Sequence, residues 1–419
     1  MEKTVNKIAI GSVAVIIAAL FWSLDGTFLT PHLNSLSSVL VVFLEHALGF
    51  VVLLPFLILY RSQLKTVTKK QWLAIFWVAL FGGALGSTFM TKALFLTGFK
   101  DISVVILLQK FQPLFAIILA AIILHERFPR KFYAYASLAV IAGYFVTFKN
   151  PLSLSFATGT FWVVILSLLA AFSWGSSTTF GKYTLKNINH GLLAALRFGF
   201  TVLIMLLPAM KYFDQLPQVA SLQWGILAII VFTSGSTAMF IYYYGLKRIP
   251  ASVATLCELS WPVSAIIFDY FLNHNILSPT QLLGAAVLIF AVYKATMLNQ
   301  PKTIEGVVME GNARGTDLGA RTANLDVGLA KKISKGLYAC TINLGDKNYR
   351  GLLFYGFNSV SGKDCLEVHI MDFSQNIYGQ KITVTTERYL RPPMKFKDAA
   401  TLSLQIKKDL EDFSKVLPD

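Results

Sequence analysis

Residues 103–118 read SVVILLQKFQPLFAII, and a related stretch, SVATLCELSWPVSAII, follows at residues 252–267. In both stretches a proline stands ten positions after the first serine, and the triplet Ala-Ile-Ile begins three positions after the proline. FWSLDGTF at residues 21–28 resembles FSWGSSTTF at residues 172–180 in the same way. The chain up to about residue 298 is therefore predicted to consist of two related halves.

This repeated part is strongly apolar. Of the 419 residues, 55% are hydrophobic and 14% are charged, whereas soluble proteins have about 25% charged residues. A bilayer-crossing helix needs about 20 apolar residues. Ten segments fit that length, at residues 8–29, 37–59, 72–96, 102–124, 132–148, 158–180, 190–210, 224–245, 251–272 and 279–297. The first is interpreted as a span and not as a cleaved signal.

Basic residues predict the orientation of these spans. The net charge of +15 is concentrated in short loops, which is typical of a membrane protein and not of one that binds nucleic acid. With the N-terminus in the cytoplasm, only Lys100, Lys149 and Lys211 fall on the outer side. Both termini and the segment after residue 298 are therefore predicted to be cytoplasmic, at the plasma membrane. Because five spans is an odd number, the two halves have opposite topology.

Composition changes near residue 300 and predicts the domain boundaries. The first five-helix repeat is assigned to residues 1–150 and the second to residues 151–298. A linker at 299–303 precedes a soluble domain at 304–419. The three cysteines show no spacing that suggests a metal site or a disulfide.

Polar residues within the apolar runs predict a transport site. Charged side chains are costly at the centre of a bilayer and usually face the bundle interior. Inverted repeats usually place the substrate near the midplane, between the halves. The residues predicted to contact a transported substrate are Lys110, Glu258, Gln109, Gln112, Trp261 and Asp25. Polar contacts that only pack helices together are the alternative interpretation.

These features resemble the EamA-type branch of the drug/metabolite transporter superfamily. That family has ten spans in two five-span repeats, with a proline in the fourth and ninth. Here those prolines are Pro113 and Pro262, and the family's acidic residue thirteen positions later is Glu126 in the first half and Asn275 in the second. The resemblance covers residues 8–298 and implies an architecture without specifying the substrate.

The segment after residue 300 has a different periodicity. The runs GVVMEG, KGLYACTINL, YRGLLFYGF, CLEVHIMDF and KITVTTERYL alternate apolar and polar residues, as antiparallel strands do. Residues 398–415 have apolar residues at helical spacing. A small closed antiparallel β-barrel followed by a C-terminal helix is therefore predicted.

Four blocks of this segment, in order, resemble riboflavin kinases. GTDLGARTANL at residues 315–325 is similar to GRxLGFPTANL, and LEVHIMDFSQNIYG at 366–379 to LEVHILDFxxDLYG. LRPPMKF at 390–396 is similar to LRxExKF, and LSLQIKKDL at 402–410 to the helix that follows it. The resemblance implies a kinase that phosphorylates riboflavin to FMN with ATP and Mg²⁺.

The resemblance also implies roles for particular residues. Thr322 and Asn324 would hold Mg²⁺ and the nucleotide phosphates, since hard cations prefer oxygen ligands. Glu367 would be the general base for the ribityl hydroxyl. Arg391 would assist at the phosphate or the flavin. Where the family has Phe-Pro, this chain has Ala-Arg, and Arg321 is a further candidate phosphate contact.

Three functions are compatible with a membrane part that is joined to a kinase-like domain. In the first, the membrane part imports riboflavin and the tethered kinase converts it to FMN, which cannot leave. In the alternative, an EamA-type transporter of another metabolite, amino acid or drug carries a flavin-binding regulator without turnover. A kinase that uses its spans only as an anchor is a third option, but ten repeated spans exceed what anchoring needs.

Overall fold

The computed structural model describes residues 2–98, 102–147, 160–273, 278–310, 321–345, 347–358 and 363–416. Asn275 and most of the glycine-rich approach to Thr322 lie outside these residues. The chain forms two compact units, Met1–Glu126 with Tyr135–Lys294 and Arg127–Ala134 with Ala295–Asp419. The predicted domain boundaries, with a linker at 299–303, stay a prediction.

The described residues of the first half of the membrane part form seven α-helices. Three of them are parts of longer spans, because π-helical turns at Asp25–Leu29 and Val78–Leu85 extend or join neighbouring α-helices. Their bounds are α1 (Glu2–Leu24), α2 (Ser38–Leu59), α3 (Lys69–Trp77), α4 (Gly86–Leu96), α5 (Ile102–Gln109), α6 (Gln112–Ile123) and α7 (Arg130–Thr147). Short 3₁₀ turns at Thr30–Leu33 and Arg61–Thr66 follow α1 and α2.

The second half repeats this order. A π-helical turn at Val231–Gly235 again joins two α-helices into one span, and a 3₁₀ turn occupies Phe213–Gln218. The bounds are α8 (Thr160–Thr184), α9 (His190–Met210), α10 (Ser221–Ile230), α11 (Ser236–Arg248), α12 (Ala251–Cys257), α13 (Ser260–Asn273) and α14 (Pro279–Leu298).

The multi-pass helical class is confirmed, but the count of ten continuous spans is not. Seven helices in the described residues are long and apolar enough to cross a bilayer. The predicted fourth span, 102–124, is interrupted between α5 and α6, and the predicted ninth, 251–272, between α12 and α13. The predicted fifth corresponds to α7, which has 18 residues and is not among the seven.

Proline explains where the two matched helices break. Pro113 lies in the first turn of α6, and Pro262 is the third residue of α13. Proline lacks a backbone N–H and disfavours helical geometry in the residue before it, so it is tolerated in a first turn and not in a helix interior. Each helix therefore ends and restarts close to the middle of its apolar run.

The two halves contact each other through equivalent bonds. Trp22, near the C-terminal end of α1 in the first half, donates its indole N–H to the Ser234 carbonyl at 3.0 Å. Ser234 lies in the π-turn of the second half. Trp174 on α8 donates to the Gly82 carbonyl in the π-turn of the first half, at 3.1 Å. Each indole N–H therefore bonds a carbonyl in a π-turn of the opposite half.

In the part of the soluble unit that the structure describes, six strands form an antiparallel sheet in the order β1-β6-β3-β4-β5-β2. The strands are β1 (Thr303–Val307), β2 (Ala323–Leu325), β3 (Gly336–Leu344), β4 (Lys347–Asn358), β5 (Lys363–Ile370) and β6 (Lys381–Arg391). Just after β1, Met309 forms a bridge with Asn324 of β2. The first and last strands of the sheet thus meet, and the predicted barrel is nearly closed.

Alternating residues fill the barrel and leave the others outside. On β5, Leu366, Val368 and Ile370 are buried in the core with Ile342 and Val384 of neighbouring strands. A 3₁₀ turn at Val327–Lys332 contributes Ala330 to the same core. Odd-numbered residues of β5 consequently project from the other face, and Glu367 is one of them.

The predicted C-terminal helix is confirmed as α15 (Ala399–Val416). Asp398 caps it, since its carboxylate accepts from the Thr401 backbone N–H at 2.7 Å. Phe413 and Leu410 pack against a second apolar cluster that includes Leu337 and Leu390 of the barrel. The helix is thereby fixed to the barrel exterior.

Candidate functional site

A cavity of about 240 Å³ lies in the membrane part, between residues of both halves. It contains all six residues that the sequence predicts for the transport site: Asp25, Gln109, Lys110, Gln112, Glu258 and Trp261. The breaks between α5 and α6 and between α12 and α13 supply five of these six. Interrupted helices are where transporters commonly bind substrates. The roles of the six in transport stay a prediction.

The interrupted helices are linked to each other by side chains. Gln112 donates from Nε2 to Glu258 Oε2 at 2.5 Å, and Gln109 donates from Nε2 to Gln112 Oε1 at 2.7 Å. Tyr242 on α11 donates its hydroxyl proton to Glu258 Oε1 at 2.8 Å, and its oxygen lies 2.6 Å from Thr178 Oγ1. The relay therefore connects helices of both halves around one carboxylate.

Lys110 lies beside this relay with an aromatic partner. Its side chain is 3% exposed, and Nζ lies 4.9 Å from the centroid of the Trp261 ring. An ammonium at this distance from an indole face is stabilised by the ring quadrupole. Among the described residues no carboxylate forms a salt bridge with Lys110, and the Trp261 ring is the partner that the structure gives its ammonium group.

Asp25 forms a second polar cluster at the cavity. Its Oδ1 accepts from Thr30 Oγ1 at 2.6 Å, and its Oδ2 accepts from Ser234 Oγ at 2.8 Å. Trp22 bonds the carbonyl of the same serine. Asp25 thus holds the π-turn at the end of the first span against the π-turn of the eighth, which brings the two halves together.

Arg197 also lines the cavity, and its guanidinium group is fixed by hydrogen bonds to two other segments. Its Nη2 donates to the Gly82 carbonyl at 2.6 Å and its Nη1 to Tyr243 OH at 3.3 Å. His46 and Glu45 on α2 are further lining residues. The sequence singles out Arg197 and Glu45 only because they are ionisable residues within apolar runs. Tyr242, Ser234 and Trp22 were missed, since serine and aromatic residues are ordinary in spanning helices.

In the soluble unit, β2 and β5 bring two predicted residues face to face. Asn324 is the direct cross-strand partner of Glu367, and both are half-buried outside the core. Side chains that are directly opposite on antiparallel strands lie about 4.5–5.5 Å apart at Cβ. Thr322, two residues before Asn324, shares its side of the chain. Threonine and asparagine oxygens with a carboxylate beside them form a donor set that a hard cation prefers.

Arg321 and His369 frame this site. The Arg321 guanidinium donates from Nη1 to the Ser374 carbonyl at 3.0 Å. His369 Nδ1 donates to the Arg321 carbonyl at 2.7 Å. Both contacts fasten the residue before Thr322 to β5 and to the loop after it. The predicted phosphate contact of Arg321 stays a prediction.

Arg391 forms its side-chain hydrogen bonds with Asp409 and Pro392, and not with the Asn324–Glu367 pair. Its Nε and Nη2 donate to the two carboxylate oxygens of Asp409 at 2.8 and 2.6 Å, and both side chains are about nine-tenths buried. The remaining nitrogen, Nη1, donates to the Pro392 carbonyl at 3.1 Å. The geometry favours a role in joining α15 to the barrel, and the predicted contact with phosphate or flavin stays a prediction.

Paired interrupted helices around a polar cavity define a multi-pass membrane transporter, here joined to a small barrel domain. The EamA-like transporter family model matches residues 9–148 and 161–297, and the riboflavin kinase model matches residues 298–417. The chain belongs to the EamA-like transporter family and carries a riboflavin kinase domain at its C-terminal end.

Individual relatives match the two parts separately. The chain is 40% identical over 295 residues to riboflavin transporter ImpX of Fusobacterium nucleatum subsp. nucleatum, which covers 69% of this chain and 98% of that protein. It is 32% identical over 120 residues to the bifunctional riboflavin kinase/FMN adenylyltransferase of Listeria monocytogenes, which covers 28% of this chain and 38% of the relative. The chain thus spans about two fifths of that kinase relative.

A second kinase relative and one solved structure agree with this division. The Haemophilus influenzae bifunctional riboflavin kinase/FMN adenylyltransferase is 35% identical over 122 residues, which are 27% of this chain and 38% of the relative. A protein crystal structure matches 69% of this chain and 96% of its own at 16% identity, with a TM-score of 0.54. At that identity the similarity shows the fold alone.

Proposed function

We propose that this chain carries riboflavin across the plasma membrane and phosphorylates it to FMN with ATP on the cytoplasmic side. The observation that carries the proposal is the fusion of two parts whose relatives are a riboflavin transporter and riboflavin kinases. A transporter and a kinase in one chain that act on the same vitamin would place the product where the substrate arrives.

The cavity suits a flat heterocycle with polar edges. Trp22, Trp174 and Trp261 line it, together with the amides of Gln109 and Gln112. Ligand pockets are typically lined by aromatic surface with a few polar groups that fix orientation. Indole rings provide large apolar contact at a small cost in side-chain entropy. An uncharged ring system with imide and hydroxyl groups fits these walls.

The barrel suits phosphoryl transfer to a hydroxyl. We propose that Thr322 and Asn324 hold Mg²⁺ together with the nucleotide phosphates, and that Glu367 takes the proton of the ribityl 5′-hydroxyl. When bound, the cation would neutralise charge on the transferring phosphoryl group. Glu367 lies on a strand, opposite Asn324. This pairing would keep the base beside the phosphates and orient the hydroxyl for attack.

Charge explains why the two activities belong together. Phosphorylation adds about −1.5 to −2 charges at neutral pH, and a cavity that accepts the neutral vitamin would reject this product. Three carboxylates, those of Asp25, Glu45 and Glu258, line the cavity against two basic side chains, Lys110 and Arg197. This excess of carboxylates disfavours a phosphate. Uptake would then proceed in one direction even if the membrane part only equilibrates its ligand.

The cytoplasmic placement of the barrel rests on the distribution of basic residues. The inner loops would hold Arg61, Lys65, Lys69, Arg130 and Lys131 among others, against three lysines outside. Such asymmetry orients spans during insertion. ATP is cytoplasmic, so this orientation is the one in which the kinase domain would meet its second substrate.

Replacement of the base tests the kinase part. In purified full-length protein, Glu367→Gln should lower the rate of FMN formation from riboflavin, ATP and Mg²⁺ by about 10²–10⁴-fold, because a positioned general base contributes that much. Glu305→Gln is the matched control: it is an exposed carboxylate on β1, paired with Lys381, and should leave the rate unchanged. Flavin binding without turnover by the unaltered protein would instead support the regulator.

Growth tests the transport part. A bacterial strain that cannot make riboflavin, and that lacks its own importer, should grow on low external riboflavin when it expresses the unaltered chain. Glu367→Gln should still admit riboflavin, because the substitution lies in the soluble unit. No growth with a correctly inserted unaltered protein would contradict the proposed cargo.

A further inference from the structure

The cavity contains a chain of hydrogen bonds whose direction is fixed at one end. Both carboxylate oxygens of Glu258 accept, one from Tyr242 OH at 2.8 Å and the other from Gln112 Nε2 at 2.5 Å. An ionised carboxylate has no proton to donate. With Glu258 ionised, the Gln112 amide NH₂ faces Glu258 and its oxygen faces the other way.

The fixed direction passes on to Gln109. Gln112 Oε1 accepts from Gln109 Nε2 at 2.7 Å, so Gln109 Oε1 is the end of the chain. This oxygen is buried and has no hydrogen-bond partner among the residues that the structure describes. A buried acceptor without a partner is costly, and a ligand that donates a hydrogen bond there removes the cost.

A hydroxyl from the other half lies in the same cavity. Thr255 is fully buried on α12, and its Oγ1 also has no partner in the described part of the chain. Thr255 precedes Glu258 by three residues, so the two side chains share a helix face. Gln109 and Thr255 both line the cavity, one from each half of the membrane part.

We propose that Gln109 is a specificity-determining residue that recognises the imide edge of the flavin ring. Its Oε1 accepts a hydrogen bond from the ring N3–H, and the Thr255 hydroxyl donates to a ring carbonyl beside that N–H. This assignment rests on the proposed function, since it presumes that a flavin enters the cavity. A ribityl hydroxyl can rotate to donate or accept, whereas the imide nitrogen only donates.

The inference predicts selection between two ring analogues. Lumiflavin has the N3–H, and 3-methyl-lumiflavin has a methyl group there. Neither has a ribityl hydroxyl that the kinase domain could phosphorylate. The methylated ring leaves Gln109 Oε1 unpaired, and it should compete at least about tenfold less well, which corresponds to about 1.4 kcal/mol.

The experiment measures the initial rate of radiolabelled riboflavin uptake by cells that express the full-length chain, with each analogue as competitor. The unaltered protein should show the tenfold preference for lumiflavin. Gln109→Met removes the acceptor with little change of shape, and the preference should fall to about one. Gln223→Met is the matched control. Gln223 bonds Ser35 Oγ and the His32 carbonyl away from the cavity, so this variant should keep the preference.

A second variant tests the direction of the hydrogen bonds between Glu258, Gln112 and Gln109 without changing Gln109. Glu258→Gln places an amide where the carboxylate stood, and an amide both donates and accepts. The direction of the relay is then no longer fixed, and the preference for lumiflavin should fall by about threefold or more. Membrane insertion of each variant is checked by its amount in the membrane fraction.

Three results would overturn the inference. One is equal competition by the two analogues in the unaltered protein, and another is an unchanged tenfold preference in Gln109→Met. The third is an unchanged preference in Glu258→Gln. Failure of the proposed function looks different: the unaltered chain would then take up no riboflavin at all, with or without competitor.

Discussion

The buried pair between Arg391 and Asp409 gives a prediction whose size follows from the structure. Removing one partner of a buried ion pair leaves an uncompensated charge and costs about 3–5 kcal/mol. Asp409→Asn keeps a short polar side chain, so we expect the lower end, about 3 kcal/mol. A domain of about 120 residues has an unfolding entropy near 0.25 kcal/mol per degree, and its melting temperature should therefore fall by about 12 °C.

The measurement is thermal unfolding of the purified domain, residues 295–419, followed by circular dichroism. All seven tryptophans of the chain lie before this domain, so tryptophan fluorescence of the whole protein would report on the membrane part. Unfolding of the domain is therefore followed on the isolated domain and by circular dichroism. Asp364→Asn is the matched control. Its partner Lys335 is half exposed, and such surface pairs contribute about 0–1 kcal/mol.

A double variant separates the pair from its surroundings. Arg391→Met with Asp409→Leu replaces both charges by apolar groups, and such replacements of buried pairs are often neutral or stabilising. We expect the double variant to melt well above either single variant. A loss below about 1 kcal/mol in Asp409→Asn would refute this account. Arg391 would then be free for the phosphate or flavin contact.

Two further predictions concern packing and pH. At Gly175 a Cβ atom would lie 2.8 Å from the Gln112 carbonyl oxygen, so Gly175→Ala should destabilise the full-length protein by about 1–3 kcal/mol in a detergent melt; Gly225→Ala, with nothing within 4 Å, should not. Burial raises the pKa of Tyr389 from 10.0 to about 12, so its stabilising contribution is complete below pH 10 and is lost as the pH rises to 12. Tyr389→Phe should reduce the decrease in thermal stability of the full-length protein in detergent over that range, whereas exposed Tyr378→Phe should not; identical pH curves for the unaltered protein and Tyr389→Phe would contradict the reasoning.

The sequence predicts the transporter architecture well because its signals are local. Apolar length marks the spans, and the repeat marks the halves. Prolines explain why ten continuous helices are not confirmed: hydropathy predicts one segment at residues 102–124, whereas Pro113 follows a break between α5 and α6. A continuous apolar run therefore predicts membrane embedding more securely than it predicts a continuous helix.

The cavity was predictable only in part. Gln109, Gln112 and Glu258 stand beside the helix-breaking prolines, and that position singles them out. Tyr242 joins the relay from α11, a helix with several tyrosines and no local mark to distinguish this one. The bond from Ser234 to Asp25 joins residues 209 positions apart, and such a contact depends on how the halves pack.

In the soluble domain the strands were predictable and one ion pair was not. Period-two alternation predicts β3, β4, β5 and β6, whereas the run GVVMEG overlaps only the last two residues of β1. The short β2 was visible only as part of a motif. The motif also brings Asn324 opposite Glu367, as the register shows. Arg391 was assigned by similarity of its block, and Asp409, in the helix, carried no sign of its partner.

In the proposed function, phosphorylation makes uptake of the vitamin one-directional. The most direct test of this coupling uses proteoliposomes that contain the full-length protein, with ATP and Mg²⁺ inside and riboflavin outside. We predict that total flavin inside rises above the external concentration, that the excess is FMN, and that Glu367→Gln vesicles only reach equality. Internal flavin that never exceeds the external concentration in the unaltered protein would contradict the account.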